Sequence, residues 1–202
     1  MPRFPHLCTA LGLSVASLLS AGEADRGDVR VMFVGQALVK KDLRVVVPES
    51  VTQARGYLGG ADVVFTNLET TIAPVGFAGK PRSASSVFGP PEVLDCLKAM
   101  GFNLLSLANN HAFDLLESGL LATRAEVARL GFSHAGTGRN ADQAAGAAIL
   151  ETPGGKVALV AMASGGAQLT PEAWAGPGKA GVNFLELKAD GSLNSEHRER
   201  ML

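Results

Sequence analysis

Beyond residue 28 the chain keeps to one order: a short run of Val, Ile, Leu and Phe, a polar break, then a segment with helical spacing. That alternation is the pattern of βα units around a buried, largely parallel sheet, because strands covered on both faces read as continuous apolar runs. The strands are expected at "VRVMFVG" (29–35), "ADVVFTN" (61–67) and "FNLLSLA" (102–108). A helix over 49–58, ended by Gly59 and Gly60, precedes the second strand. The helix before the third is "PPEVLDCLKAMG", where Pro90 and Pro91 suit a start and Gly101 a stop, with Val93, Leu94 and Leu97 on one face. Asp114 and Glu117 have capping-box spacing and are expected to open a helix reaching Gly131. Further on, 132–138 resembles a short strand and turn, 147–150 and 156–163 a hairpin around Gly154 and Gly155, and 181–187 a last strand.

At 202 residues the chain suits one domain with its own core. A net charge of −1 without runs of one sign excludes electrostatic attraction to nucleic acid. Arg3, the thirteen residues "LCTALGLSVASLL" (7–19) and the small residues Ser20, Ala21, Gly22 and Ala24 predict a signal peptide over 1–24. The apolar stretch is short of the about 20 residues a membrane span needs. Export to the periplasm or cell exterior follows, with a buried N-terminal helix or an uncleaved membrane anchor as the other readings. Cys8 would leave with the signal, and Cys96 reads as a small core hydrophobe.

In open α/β sheets ligands bind beyond the carboxyl ends of the strands. The residues there are Gly35 and Gln36 after the first strand, Asn67 and Glu69 after the second, and Asn109, Asn110 and His111 after the third. Carboxylate, carboxamide and imidazole together make a metal-ligand set, with His as ligand or proton donor. Taken singly, the asparagines are also ordinary turn formers and the histidine an ordinary structural residue.

Four blocks, "VMFVGQALVKKDLR", "ADVVFTNLETTIAP", "GFNLLSLANNHAFDLLESGLLAT" and "GFSHAGTGRNADQA", resemble in order and spacing the motifs of CapA-type capsule-synthesis proteins. Those proteins are implicated in poly-γ-glutamate capsule production and belong to the calcineurin-like metallophosphoesterase superfamily. The resemblance implies an α/β fold of four layers, α-β-β-α, with a two-metal centre on strand-end loops. It makes Asn110 the metal-ligating asparagine, Glu69 a bridging carboxylate, and His111 the group that protonates the leaving oxygen. Asn67 and Asn109 would shape the turns or hold the ligands by hydrogen bonds.

Two departures accompany it. Gln36 stands where the first motif carries an aspartate, and Asp42 is the nearest carboxylate that could substitute, or else a solvated turn charge. The late histidine cluster of the family has no counterpart, since only His134 and His197 follow His111. The expectation is therefore an incomplete domain over 29–187 with a polar tail at 188–202, the N-terminal portion of a longer protein with an exposed sheet edge prone to aggregation.

The implied cofactors are divalent ions (Mn, Fe, Zn or Mg). The implied partners are an anionic exopolymer or phosphoester substrate and membrane-bound capsule-synthesis proteins, with no nucleic acid. Three functions stay open: a metal-dependent hydrolase or transferase of exopolymer synthesis, a non-catalytic assembly or polymer-binding factor with a degenerate site, and a phosphoesterase of small phosphates. Lys80 and Arg82 in "GKPRSASS" read equally as a loop approaching an anionic polymer and as a solvated charge pair.

Overall fold

The computed structural model describes residues 27–165, 169–188, 190–195 and 199. The expected signal peptide and His197 lie outside them. In chain order the elements are β1 (Val31–Ala37), α1 (Leu43–Val46), α2 (Pro48–Leu58), β2 (Val63–Leu68), β3 (Thr71–Ile72), β4 (Phe88–Gly89) and α3 (Glu92–Met100). There follow β5 (Leu104–Ser106), α4 (Leu116–Arg129), β6 (Ser133–Ala135), β7 (Thr137–Gly138), α5 (Ala141–Ala145), β8 (Ala148–Thr152), β9 (Gly155–Leu159), a 3₁₀ turn (Pro171–Ala173) and β10 (Gly181–Val182).

The fold is α/β, built on a parallel sheet in the order β1-β2-β5-β6. Smaller pairs join β3 to β4, β7 to β10 and β8 to β9. In parallel pairing, registered partners share a face, so Val64 lies with Met32, and Leu105 with Thr66. Val64, Leu68 and Leu105 pack against Val93, Leu94 and Leu97 of α3, with Phe102, Val127 and Phe132 closing the cluster. A second cluster gathers Ala108, Phe113, Leu120, Ala135, Ala161 and Val182 with the stacked rings of Trp174 and Phe184, 4.3 Å apart. The small alanines let the segments beyond the strand ends approach closely.

Local chemistry accounts for most element ends. Pro48 opens α2 where its missing N–H costs nothing. Gly101, with φ of 105°, closes α3 in a left-handed turn that a Cβ would disfavour. Cys96 is fully buried, and burial raises its thiol pKa.

The structure corrects two readings. The capping box does not form: α4 begins at Leu116 with no side-chain cap, and the Asp114 carboxylate accepts instead from the Val87 N–H and bonds His111 Nδ1. A buried N–H without a partner costs more than an exposed helix end that water can serve, so the interior donors win. The chain then turns into α4 through Leu116 in the left-handed region, φ 59°. The second correction concerns 181–187, which forms the two-residue β10 and isolated bridges at Val182, Phe184 and Leu187 instead of a continuous strand.

β1 is the sheet edge, and six of its seven residues are exposed. Phe33 is 74% exposed although its ring meets Phe65 edge-on at 5.7 Å.

Gly119 lets α4 approach β3. A Cβ there would stand 2.3 Å from Leu115 Cβ and 2.9 Å from Thr71 Cγ2. Alanine in an open helix gains about 1 kcal/mol over glycine, but Leu115 is buried to 1% exposure and has no room to yield. Gly119→Ala is therefore expected to lower stability by about 1–3 kcal/mol, read as a lower urea midpoint; an unchanged or higher midpoint would contradict this packing.

Candidate functional site

The parallel order places the ends of β1, β2 and β5 side by side, which brings Gln36, Asn67, Glu69 and Asn109 together. Gln36 gets there through a bulge. Phe33 registers with Phe65, but Gln36 registers with Asn67, so β1 holds one extra residue between them. Without it Gln36 would face the opposite side of the sheet, since a slip of one residue reverses every side chain. The Thr66 hydroxyl donates to the Gly35 carbonyl at 2.6 Å and braces the bulge. Gln36 thus lies inside β1 rather than after it, where its carboxamide Nε2 donates to Glu69 Oε1.

Glu69 is 5% exposed. Its Oε1 also accepts from Asn67 Nδ2 at 3.0 Å. Asn109 continues the chain, donating to Asn67 Oδ1 at 3.1 Å and to the Leu68 carbonyl at 2.7 Å. Asn109 Oδ1 in turn accepts from the His111 backbone N–H at 3.0 Å. Asn67 and Asn109 therefore tie the β2 end to the turn that carries Asn110 and His111.

That turn is pinned from two further sides. Thr71 Oγ1 donates to the His111 carbonyl at 2.6 Å, and His111 Nδ1 sits 2.8 Å from Asp114 Oδ2. Asp114 is 2% exposed, and the His111 side chain 13%. With Nδ1 turned to the carboxylate, Nε2 is the ring atom left for proton exchange. Asp114 was missed as a site residue because its spacing from Glu117 suits a helix cap. The signal that could have found it is its position three residues after His111, one turn away along a tight connection.

Asn67, Glu69, Asn109 and Asn110 line one wall of an open crevice of ≈ 370 Å³, with Ala163 and Ser164 among the residues opposite. Ser164 carried no sequence signal. Gln36 and His111 are absent from the lining, and so is Asp42. It caps α1 and pairs with Arg44 at 2.7 Å, whose hydrogen bonds hold its carboxyl below the usual range. His134 lies on β6 with Nδ1 3.1 Å from the Phe132 carbonyl, and also stands outside the lining.

The donors can be tested against the implied metal. Among the described residues no group of three or more His, Cys, Asp and Glu side chains is placed to hold an ion. Glu69 is the anionic oxygen of the wall, and Asn110 brings a carboxamide oxygen. These are oxygen donors of the kind a hard divalent cation takes, with water or substrate oxygens needed to complete its shell. Among the described residues the ligands of two ions are not assembled.

A family model described as bacterial capsule synthesis protein PGA_cap matches residues 30–200. Two curated relatives from Sinorhizobium fredii (strain NBRC 101917 / NGR234), the uncharacterized proteins y4sH and y4uA, are each 34% identical over 168 residues. The alignments cover 78% of this chain and 36% of each relative, so the chain spans about a third of their length.

Two outcomes follow. Asp114→Ala strips the acceptor from the buried Val87 N–H and from His111 Nδ1, and is expected to cost about 1–3 kcal/mol in urea unfolding. A cost within error of zero would show that water replaces the carboxylate. His134 titrates in the opposite sense to an ion-paired histidine, because burial lowers its pKa. Its contribution is present above about pH 6.5, the unfolded value, and is lost as pH falls toward the lower folded value. The melting temperature should fall between pH 7.5 and 5.5, and His134→Gln should flatten that part of the curve.

Proposed function

Because the chain belongs to the bacterial capsule synthesis protein family, we propose that its strand-end crevice acts on an anionic exopolymer such as poly-γ-glutamate, outside the cytoplasm. The reaction in this reading is hydrolysis or transfer at a phosphoester or amide bond of the polymer. The observation that carries it is a wall holding one buried carboxylate and several carboxamides, joined through Asn109 to the turn that holds the His111–Asp114 pair. Export rests on Arg3 and the apolar run 7–19, and membrane-bound capsule-synthesis proteins are the natural partners of an exported factor.

Glu69 and Asn110 would hold a divalent cation. Once bound, such an ion polarises a phosphoryl or carbonyl oxygen and lowers the pKa of bound water. The chain's own residues do the rest. Asp114 accepts from Nδ1 and fixes the imidazole, so that Nε2 faces away from the carboxylate and gives a proton to the departing oxygen or nitrogen. Thr71 and Asn109 hold the backbone of His111 in place, which preserves that aim. Asn67 keeps Glu69 turned toward the crevice wall.

One observation favours the rival, a non-catalytic assembly factor. Gln36 occupies Glu69 Oε1 with an amide N–H, a neutral partner where an aspartate would have added a second anionic ligand.

The deciding measurement is thermal melting with and without millimolar Mn or Mg. Under this proposal the ion raises the melting temperature of the wild type, by the equivalent of about 2.7 kcal/mol at a hundredfold excess over Kd. Glu69→Ala and Asn110→Ala should lose that rise. His111→Ala should keep it while losing about 10²- to 10⁴-fold in polymer cleavage. No ion effect in the wild type would hand the crevice to the assembly reading.

A further inference from the structure

The loop between β3 and β4 carries Arg82, which neither the fold nor the proposed chemistry has used. We propose that Arg82 is the anion-recognising residue of the crevice, binding a carboxylate or phosphate oxygen of the substrate. The inference rests on the proposed function for its substrate class. It draws its geometry from contacts that the reaction does not use.

Arg82 is not itself in the crevice lining, but it ties together two segments that border it. On one side its backbone N–H donates to the Asp114 carbonyl at 2.8 Å, and its guanidinium carbon lies 5.9 Å from the ring centre of Phe113, in the turn that also carries Asn110 and His111. On the other side its Nη2 donates to Thr170 Oγ1 at 2.7 Å, next to Leu169 of the lining. The hydrogen bond and the ring fix the plane of the guanidinium, so little rotamer freedom remains to be lost when a ligand arrives. A planar guanidinium matches carboxylate and phosphate oxygens in a way an ammonium does not.

Electrostatics calls for such a group. Glu69 gives the wall a negative charge, and the other polar lining residues are neutral. A divalent ion on Glu69 and Asn110 would offset that charge at the reacting bond, whereas the flanking anionic groups of a polymer call for a further, fixed positive charge. Among the described residues, Arg82 is a cation that the fold ties to segments on two sides of the crevice. Lys80, two residues earlier, is exposed and joins it as a mobile charge at most.

The test is titration calorimetry of the chain with a short glutamate polymer and, separately, with inorganic phosphate, in low salt. Arg82→Gln keeps a donor for Thr170 while removing the charge, and Arg82→Lys keeps the charge without the planar fork. Melting in Mn or Mg is recorded on each variant. Wild type is expected to bind one of the two anions, with Arg82→Gln weakened about tenfold or more and Arg82→Lys between them. Binding of the polymer alone points to its carboxylates, and binding of phosphate points to a phosphoester substrate; either supports the proposal. Equal affinity of Arg82→Gln and wild type overturns it, as does a wild type that binds neither anion. Because Arg82 is no part of the cation site, Arg82→Gln should keep the ion-induced rise in melting temperature. Loss of anion binding with that rise intact separates this inference from the cation reading, and an absent rise with Arg82-dependent binding sinks the cation reading alone.

Discussion

A buried carboxylate with two donors organises this end of the molecule. Asp114 Oδ2 meets both His111 Nδ1 and the Val87 backbone N–H, and its own backbone carbonyl accepts from Arg82. A carboxyl group at 2% exposure is accommodated only when such partners replace its water. The turn 109–114, the start of β4 and the loop before it are thereby bound into one unit. The strained entry into α4 at Leu116 follows from that arrangement, since the helix must begin where Asp114 has left the surface.

The other half of the crevice is governed by competition for Glu69. Two carboxamides, from Gln36 and Asn67, donate to the same carboxylate oxygen. A neutral hydrogen bond contributes far less than coordination of a divalent ion, so these bonds do not bar a cation. They do hold the carboxylate in position without one. That property serves a catalyst and a binding factor alike, which is why Gln36 is the residue on which the two readings divide.

Much of the fold was legible because the signals are local. The apolar runs, the prolines at helix starts and Gly101 at a helix end each act over a few residues, and β1, α2, β2, α3, β5 and the β8–β9 hairpin fall where they were expected within a few positions. The family, too, was legible in the ordered motifs, and the match over 30–200 agrees with it. Asp114 was not, because its competing partner, Val87, is 27 residues away and only the tertiary fold brings it near. Gln36 was placed beyond its strand because a one-residue bulge leaves no mark in apolar spacing. Asp42 shows the reverse case: a charged residue near a motif whose partner, Arg44, lies two residues on, and whose role is local.

The loop from Pro74 to Ser86 is fastened at its far end and, apart from Phe77 against Phe88, exposed in its middle. Arg82 and Val87 are both bonded to Asp114, whereas Val75 is 90% exposed and Lys80 lies in open surroundings. Insertions and deletions among relatives should therefore collect between Val75 and Lys80, while the spacing from Arg82 to Val87 stays constant. The fold allows the reach of this loop to drift over generations without disturbing the histidine beneath it, and a lineage could adjust which polymer it meets by changing loop length alone.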